Sequence, residues 1–536
     1  MDPQKTLLAV ALSIIVLLLF QSWNAQRQPA PVAQTSAPAA SAPASPVPAP
    51  AAPQAGLPPA GTAPQLTASG GRIQVETDLY RIEIDKLGGD IRRLALKAYP
   101  ERVGSEQPVQ LLAAKSNRLW LQQSGLLSPG AAAAPVMFSS DAASYRLQPG
   151  QNAVEVRLRG RAGDLQVDKV LTFRRGSYLI DQRYELVNQG SQPWQGQVYN
   201  QFMRDGSTQG SMFLPVFTGA VLYRDGDFIK EKFEALNEKP AQMQIRNGWA
   251  GLMDHYFLSA VLPPQNQPSQ IYARATGDGY YVSGAMQPLP LLGPGQQVSV
   301  AQQLFIGPKE QDVLGALDRG LNRSVDYGWL TVIGQPLFQL LSWFHKIFGN
   351  WGIAIILLTV VVKLLFFPLS GASYKSMANM RKLQPKMTKL RERYKDDRQK
   401  LGEAMMELYK TEKINPLAGC LPIVVQIPVF IALYWVLLES VELRQAPFML
   451  WIQDLSAKDP FFVLPILMGI SMILQQRLNP APMDPIQQKV MYLLPVIFTV
   501  FFAFFPAGLV LYWLVNNLIS IGQQWYITHK VVEQAA

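Results

Sequence analysis

Lys363 is the residue whose chemistry first needs explaining. It follows Ile353–Val362, in which Thr359 is the only polar member, and precedes the apolar run Leu364–Leu369. An ammonium at mid-depth in hydrocarbon costs roughly 2.5–3.5 kcal/mol on insertion scales. One reading is snorkelling, because about six residues, or ~9 Å of helix, separate the lysine from the end of the run. The other is a water-filled recess between helices that draws acidic or polar segments into the membrane. Polar companions favour the recess. Thr359 lies four residues earlier on the same face, and Gln426 lies inside a later apolar stretch. Thr499, Asn516, Asn517, Ser520, Gln523 and Gln524 fall in the last two stretches. Polar groups in hydrocarbon need partners or water. Interhelical hydrogen bonds would account for one or two of them, and a hydrophilic cavity for the cluster.

A second constellation is cationic. Ser370–Asn415 contains 12 Lys/Arg and 6 Asp/Glu, a net +6. Met377, Met380, Leu383, Met387, Leu390 and Tyr394 recur at spacings of three and four, and Arg381, Lys382, Lys386, Lys389 and Arg393 cover the other faces. Asp396-Asp397 marks a turn, after which Met405, Leu408 and Tyr409 begin a second stripe. The pattern predicts an antiparallel helical hairpin. Methionine stripes adapt to varied apolar partners. Met377, Met380, Arg381, Lys382, Met387, Lys389 and Met405 are therefore the expected contacts for a partner. A solvated hairpin that sets topology and touches lipid headgroups is the competing reading.

Side-chain catalysis finds little to work with. The three histidines, His255, His345 and His529, are far apart in sequence, and Cys420 is the one cysteine. That rules out an internal disulfide framework and a cysteine-rich zinc site. No phosphate-binding loop, HExxH or GxSxG motif occurs within the apolar stretches. The expectation is a protein that is not an enzyme and needs no metal or cofactor.

The elements that must position these residues follow from composition. The 536 residues carry 48 basic and 38 acidic side chains, a net +10, yet only 16% are charged and 49% are hydrophobic. Average soluble chains carry about 25% charge. Five apolar stretches, roughly Gly352–Leu369, Leu421–Leu438, Phe461–Leu474, Val490–Phe505 and Ala507–Ile521, predict a bundle. Some are short against the ~20 residues a bilayer needs, so a locally thinned membrane is expected. Leu7–Phe20 predicts an uncleaved anchor, giving six spans in all. Pro29–Ser69 holds 11 Pro and 14 Ala in 41 residues and reads as a tether.

From about Gly71 to Arg323 apolar and polar residues alternate, as in Val154–Arg159 and Tyr178–Val187, which predicts a large antiparallel sandwich. Its charge is 27 basic minus 24 acidic, or +3, with no nucleic-acid footprint. Leu337, Leu340, Leu341, Phe344, Ile347 and Phe348 then predict an amphipathic helix on the membrane surface, with Trp329, Trp343 and Trp351 at headgroup level. The expected domains are an anchor (1–24), a linker (25–69), a sandwich (70–325), an interfacial helix (326–350), a five-helix core (351–528) with a hairpin at 371–415, and a tail (529–536). The loop Glu439–Pro460 holds only Arg444 and Lys458, so the positive-inside rule puts the hairpin and both termini in the cytoplasm and residues 25–350 in the periplasm.

Asn415-Pro416-Leu417-Ala418-Gly419-Cys420-Leu421-Pro422, continuing through Gln426-Ile427-Pro428-Val429-Phe430, resembles the hallmark third span of the YidC family of membrane protein insertases. Ser440–Phe448, Leu493–Thr499 and Phe505–Trp513 are similar to further family motifs. The resemblance is dense over Asp326–Gln524 and rests on architecture before that. It implies insertion of small membrane proteins into the bacterial inner membrane, alone or beside the Sec translocon, with nascent membrane proteins, the ribosome and the phospholipid bilayer as partners. It implies a groove open to cytoplasm and lipid, lined here by Lys363, Thr359, Gln426, Thr499, Tyr512, Trp513 and Asn516. The family commonly has arginine where this chain has Lys363, so the charge is kept and the planar fork is lost. The external domain resembles the family's β-supersandwich. A transporter using Lys363, or an anchored carbohydrate-binding module, are the alternatives from other classes. No paired internal repeat supports the transporter.

Overall fold

The computed structural model describes residues 70–115, 118–129, 134–208, 216–394, 397–412, 421–479 and 485–533. The expected anchor and linker, the turn residue Asp396 and the segment 413–420 lie outside these residues. By its internal contacts the chain falls into two units, one with residues 1–53 and 481–494, the other with 54–480 and 495–536. In the first, residues 485–494 begin a helix and expose Val490, Tyr492, Leu493 and Leu494. All packing below lies within the second.

Strict alternation builds the sandwich. Along Leu179–Asn188 the residues Ile180, Gln182, Tyr184, Leu186 and Asn188 are buried, as a half-buried strand requires. Ten strands form one sheet and nine the other. Pairing is antiparallel except where Arg72–Glu76 runs parallel to Ser144–Arg146. The expected antiparallel sandwich is therefore present with one parallel edge.

The inner faces are not wholly apolar. Asn200 on one sheet accepts from Gln122 (2.9 Å) and from Gln182 of the other sheet (3.1 Å), and donates to Gln302. Asn200 is thus bonded through both its oxygen and its nitrogen, and the row links the two sheets. Lys169 is fully buried, and its Nζ donates to Gly89 O and Ser124 Oγ, each at 2.6 Å. Burial lowers the Lys169 ammonium to about 8 and raises the nearby Asp90 carboxyl to about 6. Lys169 occupies an inward phase of Leu165–Arg174, beside Val167 and Leu171.

Helices complete the chain. α1 (Phe233–Glu238) belongs to the sandwich; α2 (Gln311–Ala316) and α3 (Thr331–Phe348) follow the last strand. The bundle comprises α4 (Trp351–Leu365), α5 (Phe367–Arg393), α6 (Arg398–Thr411), α7 (Leu421–Glu439), α8 (Val463–Leu478), α9 (Pro485–Phe502) and α10 (Ala507–Glu533). Among the described residues no single helix is long and apolar enough to cross a membrane; the pair α4–α5 passes together but is bent by 67°. The expected continuous stretch Gly352–Leu369 is thus broken at Phe366. Pro368 in the first turn of α5 is the cause, because its ring has no N–H to give and would clash with the carbonyl four residues back. Trp351 differs from the other two tryptophans in its packing. It is buried, stacked 4.0 Å from the His345 ring and 6.5 Å from Phe338, so it packs α3 on α4 while Trp329 and Trp343 remain exposed.

The loop after α7 fastens the bundle to the sandwich. Lys309 Nζ lies 3.1 Å from Glu439 Oε2, both buried, and His255 Nε2 lies 2.8 Å from Leu438 O. Glu442 accepts the Gln311 N–H at 3.0 Å, and Arg444 donates to Pro100 O at 3.0 Å. Breaking a buried ion pair from one side leaves an uncompensated charge. Lys309→Met should therefore cost about 3–5 kcal/mol in denaturant unfolding of the solubilised chain, and adding Glu439→Gln should recover most of it. Burial first, then Glu310 and Asp312, raise the Glu442 carboxyl from 4.5 to about 7. A raised acid favours the fold most below its unfolded value, and the advantage is lost as pH rises through the folded one. Protection of the Gln311 amide against hydrogen exchange, relative to Glu442→Gln, should decline between pH 4.5 and about 7 and level off above.

Candidate functional site around Lys363

Asn350 starts the helix that carries the lysine. Its Oδ1 accepts the Ile353 N–H at 3.0 Å, capping α4, and its Nδ2 donates to Phe448 O at 2.8 Å. Gly352 lets the Phe448 ring approach, for a Cβ there would lie 2.0 Å from it. The bend at Phe366 leaves Lys363 in the last turn of α4, where the negative end of the helix dipole favours a cation. Its ammonium is 3% exposed and donates to Ser520 Oγ of α10 at 2.7 Å. Among the described residues no carboxylate lies within ion-pair distance of it. Ser520 in turn donates to Asn516 O at 2.7 Å.

The polar residues of α10 are shared between two neighbours. Ser520 faces Lys363. Asn517 instead donates to Ser471 of α8 at 3.1 Å, and Gln524 to Asn479 at 2.9 Å. Asn516, predicted for the groove, is half-buried and supplies the carbonyl that orients Ser520. Thr359 is buried, and its hydroxyl bonds the Ile355 carbonyl of its own helix at 2.7 Å, which satisfies it without a partner across the bundle. Gln426 is half-buried on α7. Of the predicted residues, Asn516 is joined to Lys363 through Ser520, whereas Thr359 is satisfied within α4 and Gln426 stands on α7.

Thr499 and the aromatic pair lie elsewhere on the same helices. Thr499 Oγ1 bonds Pro495 O at 2.7 Å and rests over Gly469, where an added Cβ would stand 2.0 Å from the oxygen. Tyr512 is buried with its ring 6.0 Å from Phe430. Trp513 meets Phe430 edge-on at 4.5 Å and Phe502 at 5.0 Å. These two pack α10 on α7 and α9. Sequence reasoning missed Ser471 and Gly469, although a serine and a glycine three residues or fewer apart in an apolar run signal close helix approach.

In the cytoplasm-predicted segment, α5 and α6 form a helical pair. Asp397 caps α6 through the Lys400 N–H at 3.0 Å, and Lys386 of α5 meets Glu412, just past α6, at 2.7 Å. Leu383, Met387 and Met405 are buried. Met377 and Met380 are half-buried, while Arg381, Lys382 and Lys389 are exposed. Of the expected contact residues, Met387 and Met405 are thus taken up by packing, and Met406, not singled out from sequence, is exposed.

Two family models match, "60Kd inner membrane protein" over residues 343–534 and "YidC periplasmic domain" over 72–340. A membrane protein insertase YidC of Methylobacillus flagellatus is 48% identical, covering 100% of this chain and 99% of the relative. One from Thioalkalivibrio sulfidiphilus is 47% identical, covering 99% of each. A crystal structure of an active YidC insertase with its first transmembrane domain resolved is similar at 19% identity and a TM-score of 0.40, covering 86% of this chain and 93% of that one.

Gly469→Ala should push α8 and α9 apart and cost about 1–3 kcal/mol of stability, read as a lowered unfolding midpoint. Thr499→Ala in the same chain should restore most of the loss. Full-length identity near one half, together with both family models, shows that the chain belongs to the YidC family of membrane protein insertases, inner-membrane proteins with a periplasmic domain.

Proposed function

We propose that the chain inserts and folds integral membrane proteins through a hydrophilic groove at Lys363 that opens to cytoplasm and lipid. It does so alone or with the Sec translocon, without nucleotide, without a cofactor and without acting as an enzyme. The observation that carries this reading is the buried ammonium whose described partner is a neutral hydroxyl. Such a group retains charge and donors for an incoming acidic or polar tail. The apolar part of the client then leaves along α7 and α9, where Val425, Ile427, Val496, Ile497 and Val500 are exposed. Burial of client side chains in lipid supplies about 25 cal/mol per Å², and a thinned bilayer shortens the polar tail's path across ~30 Å.

The α5–α6 hairpin, net +6 between Ser370 and Asn415, receives the client or the ribosome through Arg381, Lys382 and Lys389. Both termini and the hairpin lie in the cytoplasm and residues 25–350 in the periplasm, which the charge bias of the loops supports. Purified chain in liposomes should insert a small single-span client without nucleotide. Lys363→Arg should preserve insertion, whereas Lys363→Ala should slow clients with acidic tails about ten-fold, the worth of one charged hydrogen bond. Equal insertion of all clients by Lys363→Ala would reduce the lysine to a snorkelling residue. Failure with several clients in folded protein would sink the reading.

A further inference from the structure

A groove of about 740 Å³ runs between α2, the segment leading to α3, and α3 itself. Its wall on α3 is the stripe Gln335, Gln339 and Lys346, with Trp343 at its edge. Opposite stand Asp312 of α2 and Arg323. The charged lining residues sum to zero, Arg323 and Lys346 against Asp312 and Asp326. They are not equally committed. Asp326 is held by Lys230 at 2.8 Å and by the Gly328 N–H at 2.8 Å. Lys346 and Asp312 meet at 3.0 Å across the groove but are 65% and 72% exposed, so water screens the pair and it is readily exchanged. The exposed Arg323 guanidinium makes no ion pair or side-chain hydrogen bond among the described residues.

Next to this polar stripe α3 presents an apolar one. Val332, Trp343 and Ile347 are 84%, 55% and 54% exposed and fall on one face at 100° per residue. Phe338 and Leu341 on another face pack into the protein. α3 ends two residues before α4 enters the bundle, which places Trp343 and Lys346 beside the membrane boundary of this inner-membrane protein, where tryptophan is favoured.

We propose that this groove holds the headgroup of a zwitterionic aminophospholipid, with its acyl chains lying along Val332, Trp343 and Ile347. Arg323 meets the phosphate as a fork of N–H donors, and Asp312 meets the primary amine. Phosphatidylglycerol and cardiolipin lack the amine, a serine headgroup would bring an extra carboxylate to a lining whose charges already sum to zero, and a soluble phosphate would leave the apolar stripe uncovered. The proposal rests on the family's membrane location and not on the groove at Lys363, since lipid retention needs no client.

The test is native mass spectrometry of the solubilised full chain with phosphatidylethanolamine and phosphatidylglycerol of matched acyl chains. Ethanolamine lipid should be retained in preference. Arg323→Ala should lower retention of both lipids about ten-fold, and Asp312→Asn should abolish the preference while leaving the glycerol lipid bound. Arg224→Ala, at an exposed arginine that ends the strand Gly219–Arg224, should change neither. All these side chains are exposed, and an unaltered unfolding midpoint confirms the fold. Equal retention of the two lipids, or indifference to Arg323→Ala, overturns the proposal, as does full competition by free phosphoethanolamine at the lipid's own concentration.

Discussion

Inside an apolar helix bundle a polar group has no water to fall back on, so the positions of the helices must answer to the few polar side chains they carry. Lys363 imposes the strictest demand. Its charge is met by the carbonyl end of α4 and by Ser520, and Ser520 is itself aimed by Asn516. α10 must therefore pass beside the last turn of α4. On its next face Asn517 and Gln524 bind Ser471 and Asn479, which seats α8 on the same helix. The core is organised around α10 because that helix distributes hydrogen bonds to both neighbours.

The bend between α4 and α5 is part of the same arrangement. Without Pro368 the lysine would lie within a continuous helix, its neighbouring carbonyls bonded along the axis. The break at Phe366 ends the helix just after Lys363 and turns the chain by 67° into the hairpin. Pro368, five residues after Lys363 at the start of the hairpin helix, thus helps determine how the cation is accommodated.

At the other end of the bundle the sandwich is fastened through groups that are individually costly to bury. Lys309, Glu439, His255 and Glu442 converge on the loop after α7, and each finds a partner in the opposing domain. Such pairs add little to stability compared with apolar packing, but they penalise any docking that leaves one unpaired. They define the seat of the external domain more sharply than its apolar surface would.

Alternation over Ile73–Ile306 determined the sandwich, because a period of two has one folded use at that length, and the apolar runs after Gly352 determined a membrane-embedded bundle. The motifs around Pro422, Glu442 and Pro506 placed the chain in its family. Lys363 stood out for its cost in hydrocarbon alone. Which residues would answer it was not legible, because hydrogen-bond partners such as Ser520, 157 positions away, depend on the rotation of each helix about its axis. For the same reason Thr359, Thr499 and Asn517 looked like one cluster in the sequence and belong to separate contacts in the fold. Met387 and Met405 looked like an open stripe in the sequence and are buried in the fold. Periodicity and burial cost act along the chain and are set by the residues themselves; the pairing of polar groups is decided between chain segments, by how the helices pack.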